Sequence, residues 1–406
     1  MSVNDIAADG STHIRGGTPG RFRSRPDVPP PGLGRDAAFE FALEVLHERR
    51  DEFRDQHFVP RDFVDLLKLA GVYRAAVPAQ FGGEPTPPAE FLELVERISR
   101  VDPATGWVAS FGATVVYLAP LPIDSQKAIY SHGPDITYAG AMFPMQDAER
   151  VDGGYILDGT WQFASGCRAA DLIGVGLTGG PDSNGRPLTA LLDPSDVEIV
   201  DNWDVAGMRS TGSHAVRVKG VFVPDEMTFV RGGEPLVNEP LFRYPSLAYA
   251  AQLLAVVALG AARGALDHMC DAGAVKTSVT GGASKGARPS FKDCIARSEA
   301  DVRSARAFFY EATTAVWKKA VAERPITEAD RNELRLAATH AAHVGRRAVL
   351  SMFDLAGTAA IYESHPLQRY VQDSLVPAQH AMLQTHTYEA AGSVILGQDP
   401  ELPSFP

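Results

Sequence analysis

The sequence predicts a mainly α-helical fold with a central β domain. Apolar residues recur at three-to-four spacing over residues 37–129 and again over 241–406, which is the pattern of helices that bury one face. Between them, over residues 130–240, short β-type runs alternate with glycine turns. We therefore expect an N-terminal helical domain, an antiparallel β-barrel or sandwich, and a C-terminal four-helix bundle.

The first 36 residues form a separate segment that is rich in Gly, Pro, Ser and Arg. The segment has no apolar stretch of the kind found in secretory signals. It also has too few apolar residues to offset the entropy cost of ordering. We therefore expect a flexible tail, and the alternative is a segment that wraps a neighbouring subunit.

Helical spacing in the N-terminal domain is clearest over residues 39–46 and 63–69. Pro60 stands where a first helical turn begins, and a Gly/Pro loop follows over residues 78–88. The Asp102-Pro103 pair then introduces another buried helix. The pattern predicts several short amphipathic helices.

Five short β-type runs in the middle segment predict a meander of antiparallel strands. Asp158-Gly159 and Asn184-Gly185 are turn signals between the runs. The runs begin at Tyr155, Asp171, Thr189, Val197 and Ala215.

Four helical stretches fill the C-terminal segment. The first, residues 253–266, is apolar almost all round and is predicted to be a buried core helix. Its longest apolar run is about half the length needed to cross a membrane. The other stretches cover residues 296–321, 328–355 and 366–396.

The net charge of −12 disfavours nucleic acids and anionic membranes as partners, because both require a basic face. Neither disulfides nor a zinc site is expected from three widely spaced cysteines, and His340 and His343 have no third metal ligand nearby. We expect a cytoplasmic protein with reduced thiols. Glycine motifs of nicotinamide-binding domains do not occur.

Three motifs follow one another along the chain. They are Gly-Thr-Trp-Gln-Phe-Ala-Ser-Gly-Cys (159–167), Trp-Asp-Val-Ala-Gly-Met-Arg-Ser-Thr-Gly-Ser (203–213) and His-Pro-Leu-Gln-Arg-Tyr-Val-Gln-Asp (365–373). Together they resemble segments of the acyl-CoA dehydrogenase superfamily. The resemblance is to its two-component flavin-dependent monooxygenases, the branch of 4-hydroxyphenylacetate hydroxylase and dibenzothiophene monooxygenase. It covers about residues 37–397 and implies reduced flavin (FMNH2 or FADH2) and O2 as cofactors.

The residues of the first two motifs also suit a flavin on chemical grounds, because the ring needs an apolar wall and polar contacts at its edge. An aromatic wall, backbone groups and a hydroxyl would come from Phe163, Ala164 and Ser165. A stacking ring, a cation for phosphate and two hydroxyls would come from Trp203, Arg209, Thr211 and Ser213. In the alternative interpretation the aromatic residues belong to the core and Arg209 is a surface cation.

The acyl-CoA dehydrogenases themselves need a carboxylate base, and this chain lacks it at both usual places. The first place, about eight residues after Asp373, holds Ala381, and the second falls in residues 243–266, which contain no Asp or Glu. The resemblance therefore implies a monooxygenase. The alternatives are a dehydrogenase or oxidase with a displaced base, and a non-catalytic flavin-binding scaffold.

His380 stands one residue before the vacant position. In the monooxygenase branch a His at the matching place lies near flavin C4a, and Ser165 matches a serine beside flavin N5. The resemblance implies oxygenation through a C4a-hydroperoxyflavin, with His380 as acid/base and Ser165 as the N5 partner. An unperturbed His pKa near 6.5 suits this work. The alternative is an ordinary helix histidine.

The expected substrate is an aromatic or polyketide-like compound, or a molecule whose heteroatom is oxidised. Several phenol hydroxylases of the branch carry a substrate-contacting His after a Gly-Trp-Val segment, and here that place holds Val115. We expect Trp107, Thr114 and Tyr117 to line the substrate site.

Two partners are implied by the resemblance. Reduced flavin would come from a separate NAD(P)H:flavin reductase, and the family is usually a homotetramer whose neighbouring subunit closes the flavin site. Arg288 and Phe291 are candidates for that contact.

Overall fold

The computed structural model describes residues 32–180, 183–274 and 284–400, so most of the predicted tail lies outside the described residues. The elements run in the predicted order of helices, strands and helices. The N-terminal helices are α1 (Arg35–Gln56), α2 (Arg61–Leu69), α3 (Pro88–Val101), α4 (Pro103–Ser110) and α5 (Ile123–Ile129).

Helix α4 begins the segment that holds the predicted substrate-site residues. It is capped by Asp102, whose carboxylate accepts a hydrogen bond from the Thr105 amide at 2.9 Å. All residues of α4 are buried, and the chain continues directly into a 3-10 helix, Phe111–Leu118. One buried segment therefore holds the three predicted substrate-site residues: Trp107, Thr114 and Tyr117.

The strands of the described residues form two four-stranded sheets, which pack as a sandwich. The first sheet has the order β1-β4-β5-β8 and the second has the order β2-β3-β7-β6. Side chains of both sheets, such as Trp161 and Val175, share one buried core. The strands are β1 (Tyr138–Gln146), β2 (Glu149–Val151), β3 (Gly154–Trp161), β4 (Leu172–Leu177), β5 (Leu188–Leu192), β6 (Glu198–Val200), β7 (Ala215–Pro224) and β8 (Thr228–Val230).

The expectation of a purely antiparallel arrangement is wrong for one pair of strands. Strands β1 and β4 run parallel, with Ala139 opposite Ile173. The chain crosses between them through β2 and β3, which belong to the other sheet. Strand β1 is also absent from the predicted runs, since Tyr-Ala-Gly-Ala-Met-Phe-Pro-Met-Gln contains no β-branched residue.

Helix α7 is the centre of the C-terminal domain. The prediction of a core helix is confirmed, because every residue from Leu253 to Ala262 is buried. Its length and composition would suffice to cross a membrane, but 89% of its most apolar window is buried inside the protein. The helices of this domain are α6 (Pro240–Arg243), α7 (Ser246–Ala274), α8 (Pro289–Val321), α9 (Glu328–Ala356), α10 (Pro366–Ser374) and α11 (His386–Ile395).

The prediction of one continuous helix over residues 366–396 is wrong. Helix α10 ends at Ser374, a short 3-10 turn follows at Pro377–Gln379, and α11 begins only at His386. Pro377 has no amide hydrogen and its ring would clash with the preceding turn, so a helix does not pass through it. His380 therefore lies in an extended link (φ −66°, ψ 136°), and the interpretation as a helix histidine is also wrong.

The three parts of the chain meet at a cluster of buried charges on α10. Asp373 accepts a hydrogen bond from the Met208 amide at 2.6 Å. Arg369 contacts the capping carboxylate of Asp102 at 3.3 Å and also pairs with Asp51 of α1. The cluster joins α1, α4, α10 and the loop that precedes β7.

Replacement of Asp373 by Asn should change how stability depends on pH. Burial, together with the charge of Asp102, raises the pKa of Asp373 to about 7. The folded protein therefore binds a proton that the unfolded chain lacks between about pH 4 and about pH 7. This group makes the wild type less stable as pH rises through that window, by up to about 1.4 kcal/mol per pH unit.

Asp373→Asn should remove this slope while its amide oxygen still accepts from Met208. Urea unfolding at several pH values measures the difference, with Asp158→Asn on the exposed face of β3 as the control. Equal slopes for the wild type and Asp373→Asn would contradict the assignment.

Candidate active site

Five side chains from four separate segments meet at one place. Trp107 comes from α4, Ser165 from the loop after β3, Thr211 and Ser213 from the loop before β7, and His380 from the link after α10. Trp107 Nε1 donates a hydrogen bond to Ser165 Oγ at 3.2 Å. The rings of Trp107 and His380 are in edge-on contact, with centroids 6.0 Å apart. All five were predicted from the sequence as flavin or substrate contacts.

Three of these residues form a chain of hydroxyl groups with a defined direction. Thr211 donates its hydroxyl hydrogen to the Met208 carbonyl at 2.8 Å, because a carbonyl only accepts. Ser213, 2.6 Å away, must then donate to Thr211, and Ser165 must donate to Ser213 at 2.7 Å. Each hydroxyl has only one hydrogen. Because Thr211 uses its hydrogen for the Met208 carbonyl, the direction of the other two bonds follows.

The direction of the hydroxyl chain determines what Ser165 can offer to a ligand. Its hydrogen is committed to Ser213, and one of its two lone pairs is committed to Trp107. The remaining lone pair accepts a hydrogen bond. Ser165 is therefore prepared to bind a donor, which is what N5–H of a reduced flavin is.

An aromatic wall stands beside this hydroxyl chain. Phe163 is 63% exposed, has a φ of 65°, and lies edge-on to Trp203 with ring centroids 6.2 Å apart. Trp203 is held by a hydrogen bond from Nε1 to the Met208 carbonyl at 3.1 Å. An exposed aromatic side chain on strained backbone fits a surface that covers a flat ring.

Ala164 is less available to a ligand than the sequence suggested. Its side chain is fully buried, and its amide donates to the His214 carbonyl at 3.0 Å. Its carbonyl accepts from the Cys167 amide at 3.1 Å. The contribution of Ala164 is therefore to hold the loop on which Phe163 and Ser165 stand.

Arg209 turns away from the hydroxyl chain toward α1. Its guanidinium hydrogen-bonds His57 Nε2, and the other ring nitrogen of His57 bonds the Trp203 carbonyl at 3.1 Å. The Arg209 Nε is buried without a hydrogen-bond partner among the described residues. Its binding of a flavin phosphate stays a prediction.

His380 is neutral at physiological pH, since burial and the nearby cations Arg231 and Arg335 lower its pKa to about 4. Its Nδ1 accepts a hydrogen bond from the Met382 amide at 3.3 Å. In a neutral imidazole the proton then lies on Nε2. His380 is thus arranged as a hydrogen-bond donor, whereas a general base would need the opposite tautomer.

The predicted substrate residues Thr114 and Tyr117 have already committed their hydroxyl hydrogens. Thr114 donates to the Phe111 carbonyl at 2.7 Å and Tyr117 to the Ser246 carbonyl at 3.1 Å. Each oxygen can still accept a hydrogen bond, and the Tyr117 oxygen accepts one from Arg231 at 3.4 Å.

Sequence reasoning missed Arg231 and Arg335 entirely. Arg231 follows the short strand β8 and has no motif around it. Arg335 lies on the buried face of α9, beside Leu334 and Ala338, where a charge interrupts an otherwise apolar stripe. That interruption is the one signal in the sequence that could have identified it.

The remaining candidates lie elsewhere in the chain. Phe291 is buried against Gly273 of α7, whereas Arg288 is exposed at the start of α8. His343 Nε2 bonds the Leu383 carbonyl at 3.0 Å, and the ring of His340 lies 6.5 Å from that of Phe308. A contact of Arg288 or Phe291 with the flavin of a neighbouring subunit stays a prediction.

Comparisons with known families agree with this architecture. Residues 33–130 match the N-terminal domain of acyl-CoA dehydrogenase, and residues 252–385 match its C-terminal domain. A crystal structure of the 3-HSA hydroxylase from Rhodococcus sp. RHA1 superimposes with a TM-score of 0.85 at 25% identity, covering 92% of this chain and 99% of that one.

Two relatives of known activity extend over most of the chain. The indole-3-acetate monooxygenase of Pseudomonas putida is 43% identical over 381 residues, which are 93% of this chain and 98% of the relative. The FADH2-dependent resorcinol hydroxylase oxygenase component of a Rhizobium strain is 30% identical, covering 84% of this chain and 89% of the relative. The chain belongs to the flavin-dependent monooxygenases of the acyl-CoA dehydrogenase family.

Proposed function

We propose that this monooxygenase inserts one oxygen atom into an indole-type aromatic acid such as indole-3-acetate. The support for the substrate is the 43% identity to a relative with that activity, together with 40% identity to a second one from Acinetobacter baumannii. The observation that carries the chemistry is that the Trp107 side chain contacts both the Ser165 hydroxyl and the His380 ring, which brings an acceptor and a donor to one place.

A bound reduced flavin would supply two electrons to O2, so that one oxygen atom enters the substrate and the other leaves as water. The residues that would hold it are Phe163 and Trp203 at the ring face and Ser165 at N5, with Arg209 toward the phosphate. The direction of the hydroxyl chain supports the role of Ser165, because only an acceptor matches the N5–H of the reduced ring.

The proposed role of His380 is to donate a hydrogen bond from Nε2 to the oxygen that is transferred. Two features support this role. Its pKa of about 4 keeps the ring neutral, and the Met382 amide occupies Nδ1. Among the described residues, the charged groups that act on the pKa of His380 are the two cations Arg231 and Arg335.

We also propose that a separate NAD(P)H:flavin reductase supplies the reduced flavin. Relatives are named as oxygenase components or oxygenase subunits, which implies a second component. A homotetramer, in which exposed Arg288 reaches the flavin of a neighbouring subunit, is the expected assembly.

The test of the function is product analysis under coupled turnover. The chain, a flavin reductase, NADH, and FAD or FMN would be incubated with indole-3-acetate under isotopically labelled O2. The expected product carries one labelled oxygen atom. Oxidation of NADH that yields only hydrogen peroxide, with both flavins, would contradict the proposed substrate.

Ser213→Ala should weaken the preference for reduced flavin over oxidised flavin. Without Ser213 the Ser165 hydrogen is free, so it can donate to the N5 of the oxidised ring, which carries no hydrogen. One hydrogen bond corresponds to roughly a fivefold to tenfold change in the ratio of the two dissociation constants. Equilibrium titration of each flavin form without O2 measures this ratio.

Two variants serve as controls for this experiment. Ser213→Thr retains the hydroxyl and should keep the wild-type ratio. Ser110→Ala removes a buried hydroxyl that bonds the Trp107 carbonyl at 2.7 Å but lies outside the hydroxyl chain, so the ratio should again be unchanged. An unchanged ratio in Ser213→Ala would show that Ser165 is not held in one direction.

The contribution of His380 should not depend on pH in the neutral range. Because the pKa of His380 is lowered to about 4, the ring has one charge state between about pH 6 and about pH 8. The ratio of coupled product formation in the wild type and in His380→Ala should therefore stay constant over this range. A change in the ratio centred near pH 6.5, the ordinary pKa of histidine, would contradict the assignment.

A further inference from the structure

Arg231 occupies a rigid position at the end of the sandwich. It follows β8 directly, in a turn that is closed by a hydrogen bond from the Gly233 amide to the Val230 carbonyl at 2.9 Å. Gly232 has a φ of 71°, as the third residue of a type II turn requires. The turn therefore fixes the position of the Arg231 backbone relative to the end of β8.

The guanidinium of Arg231 packs against Tyr117. Its central carbon lies 4.8 Å from the centroid of the Tyr117 ring, and Nη2 donates to the Tyr117 hydroxyl at 3.4 Å. Tyr117 is 5% exposed, and Tyr138 of β1, also buried, is close enough to act on the charge of Arg231. An aromatic ring therefore covers one face of this cation.

Arg231 is half-buried, and a cation in such surroundings normally has a carboxylate partner, because partial loss of hydration makes an unpaired charge costly. Among the described residues no Asp or Glu forms an ion pair with Arg231, and its polar contact is the neutral hydroxyl of Tyr117. A charge that the fold does not neutralise marks a place where a ligand can do so.

The position of Arg231 connects it to the active site. Tyr117 belongs to the same buried segment as Trp107, which contacts both Ser165 and His380. The charge of Arg231 is also one of the causes that lower the pKa of His380. Arg231 is thus linked to the active site in two ways, through the segment that carries both Tyr117 and Trp107 and through the effect of its charge on His380.

We infer that the substrate carries a carboxylate and that Arg231 binds it, so that the aromatic ring of the substrate extends toward Trp107 and His380. This inference rests on the proposed function and assigns the residue that selects acids over neutral analogues. A planar guanidinium matches the two oxygens of a carboxylate, and Tyr117 fixes one side of the guanidinium. Arg335 of α9, a buried cation that also lowers the pKa of His380, adds positive potential that favours the same charge.

The experiment compares acids with their primary amides, which have nearly the same size but no charge. Anaerobic titration of the reduced-flavin enzyme with indole-3-acetate and indole-3-acetamide, and with phenylacetate and phenylacetamide, gives the dissociation constants. The wild type should bind each acid roughly tenfold to a hundredfold more tightly than its amide. Arg231→Gln should lose most of this preference, and Arg231→Lys should retain part of it. In coupled turnover the loss in Arg231→Gln should appear in KM rather than in kcat.

Two further measurements separate this role from general damage to the fold. Arg217→Gln, which removes a cation paired with Glu198 on the other sheet at 2.9 Å, should keep the full preference for acids. In Arg231→Gln the pKa of His380, followed by NMR, should rise, because a nearby positive charge has been removed. Binding of reduced flavin should be unaltered.

The outcomes distinguish the two proposals. If the wild type binds the acid and the amide equally, or if Arg231→Gln keeps the preference for acids, the assignment of Arg231 is wrong and the proposed oxygenation stands. If neither acid is bound, both the proposed substrate and the inference are wrong, while flavin binding still tests the family chemistry separately.

Discussion

The hydrogen bond from the Met208 amide to the Asp373 carboxylate holds together the parts from which the active site is assembled. Met208 belongs to the loop that carries Thr211 and Ser213, and its carbonyl is the final acceptor of the hydroxyl chain. Asp373 lies near the end of the helix that leads to His380. Arg369, one turn earlier, contacts the cap of the helix that carries Trp107. A buried carboxylate is costly. Here its hydrogen bond fixes the position of the Met208 loop relative to helix α10.

The site has two ends with different electrostatic character. At the proposed flavin end the polar groups are neutral hydroxyls whose hydrogens all point the same way, from Ser165 toward the Met208 carbonyl. At the other end two cations lie near His380. Both charges that act on His380 are thus positive, in a protein with a net charge of −12. This arrangement suits an anionic aromatic substrate and leaves the histidine neutral.

The prediction from sequence was most successful where a residue's role depends on its local segment. Ser165, Thr211 and Ser213 lie in short motifs whose loops are shaped by their own glycines and turns, and the structure brings them together with Trp107 and His380. It failed at the C-terminal helix, because one proline at position 377 outweighed a long helical pattern. It also failed for β1, whose strand conformation depends on its partner β4.

The sequence by itself determined the order of helical and β segments, the buried core helix and the motifs that supply the candidate site residues. These features depend on periodicity, turn chemistry and motifs, which are properties of neighbouring residues. Only the tertiary structure decided the direction of the hydroxyl chain, the neutral state of His380 and the position of Arg231 beside Tyr117. The physical reason is that hydrogen-bond direction and charge state depend on groups far apart in the chain, such as Trp107 with Ser165 and Arg231 with His380, and no local pattern encodes their contact.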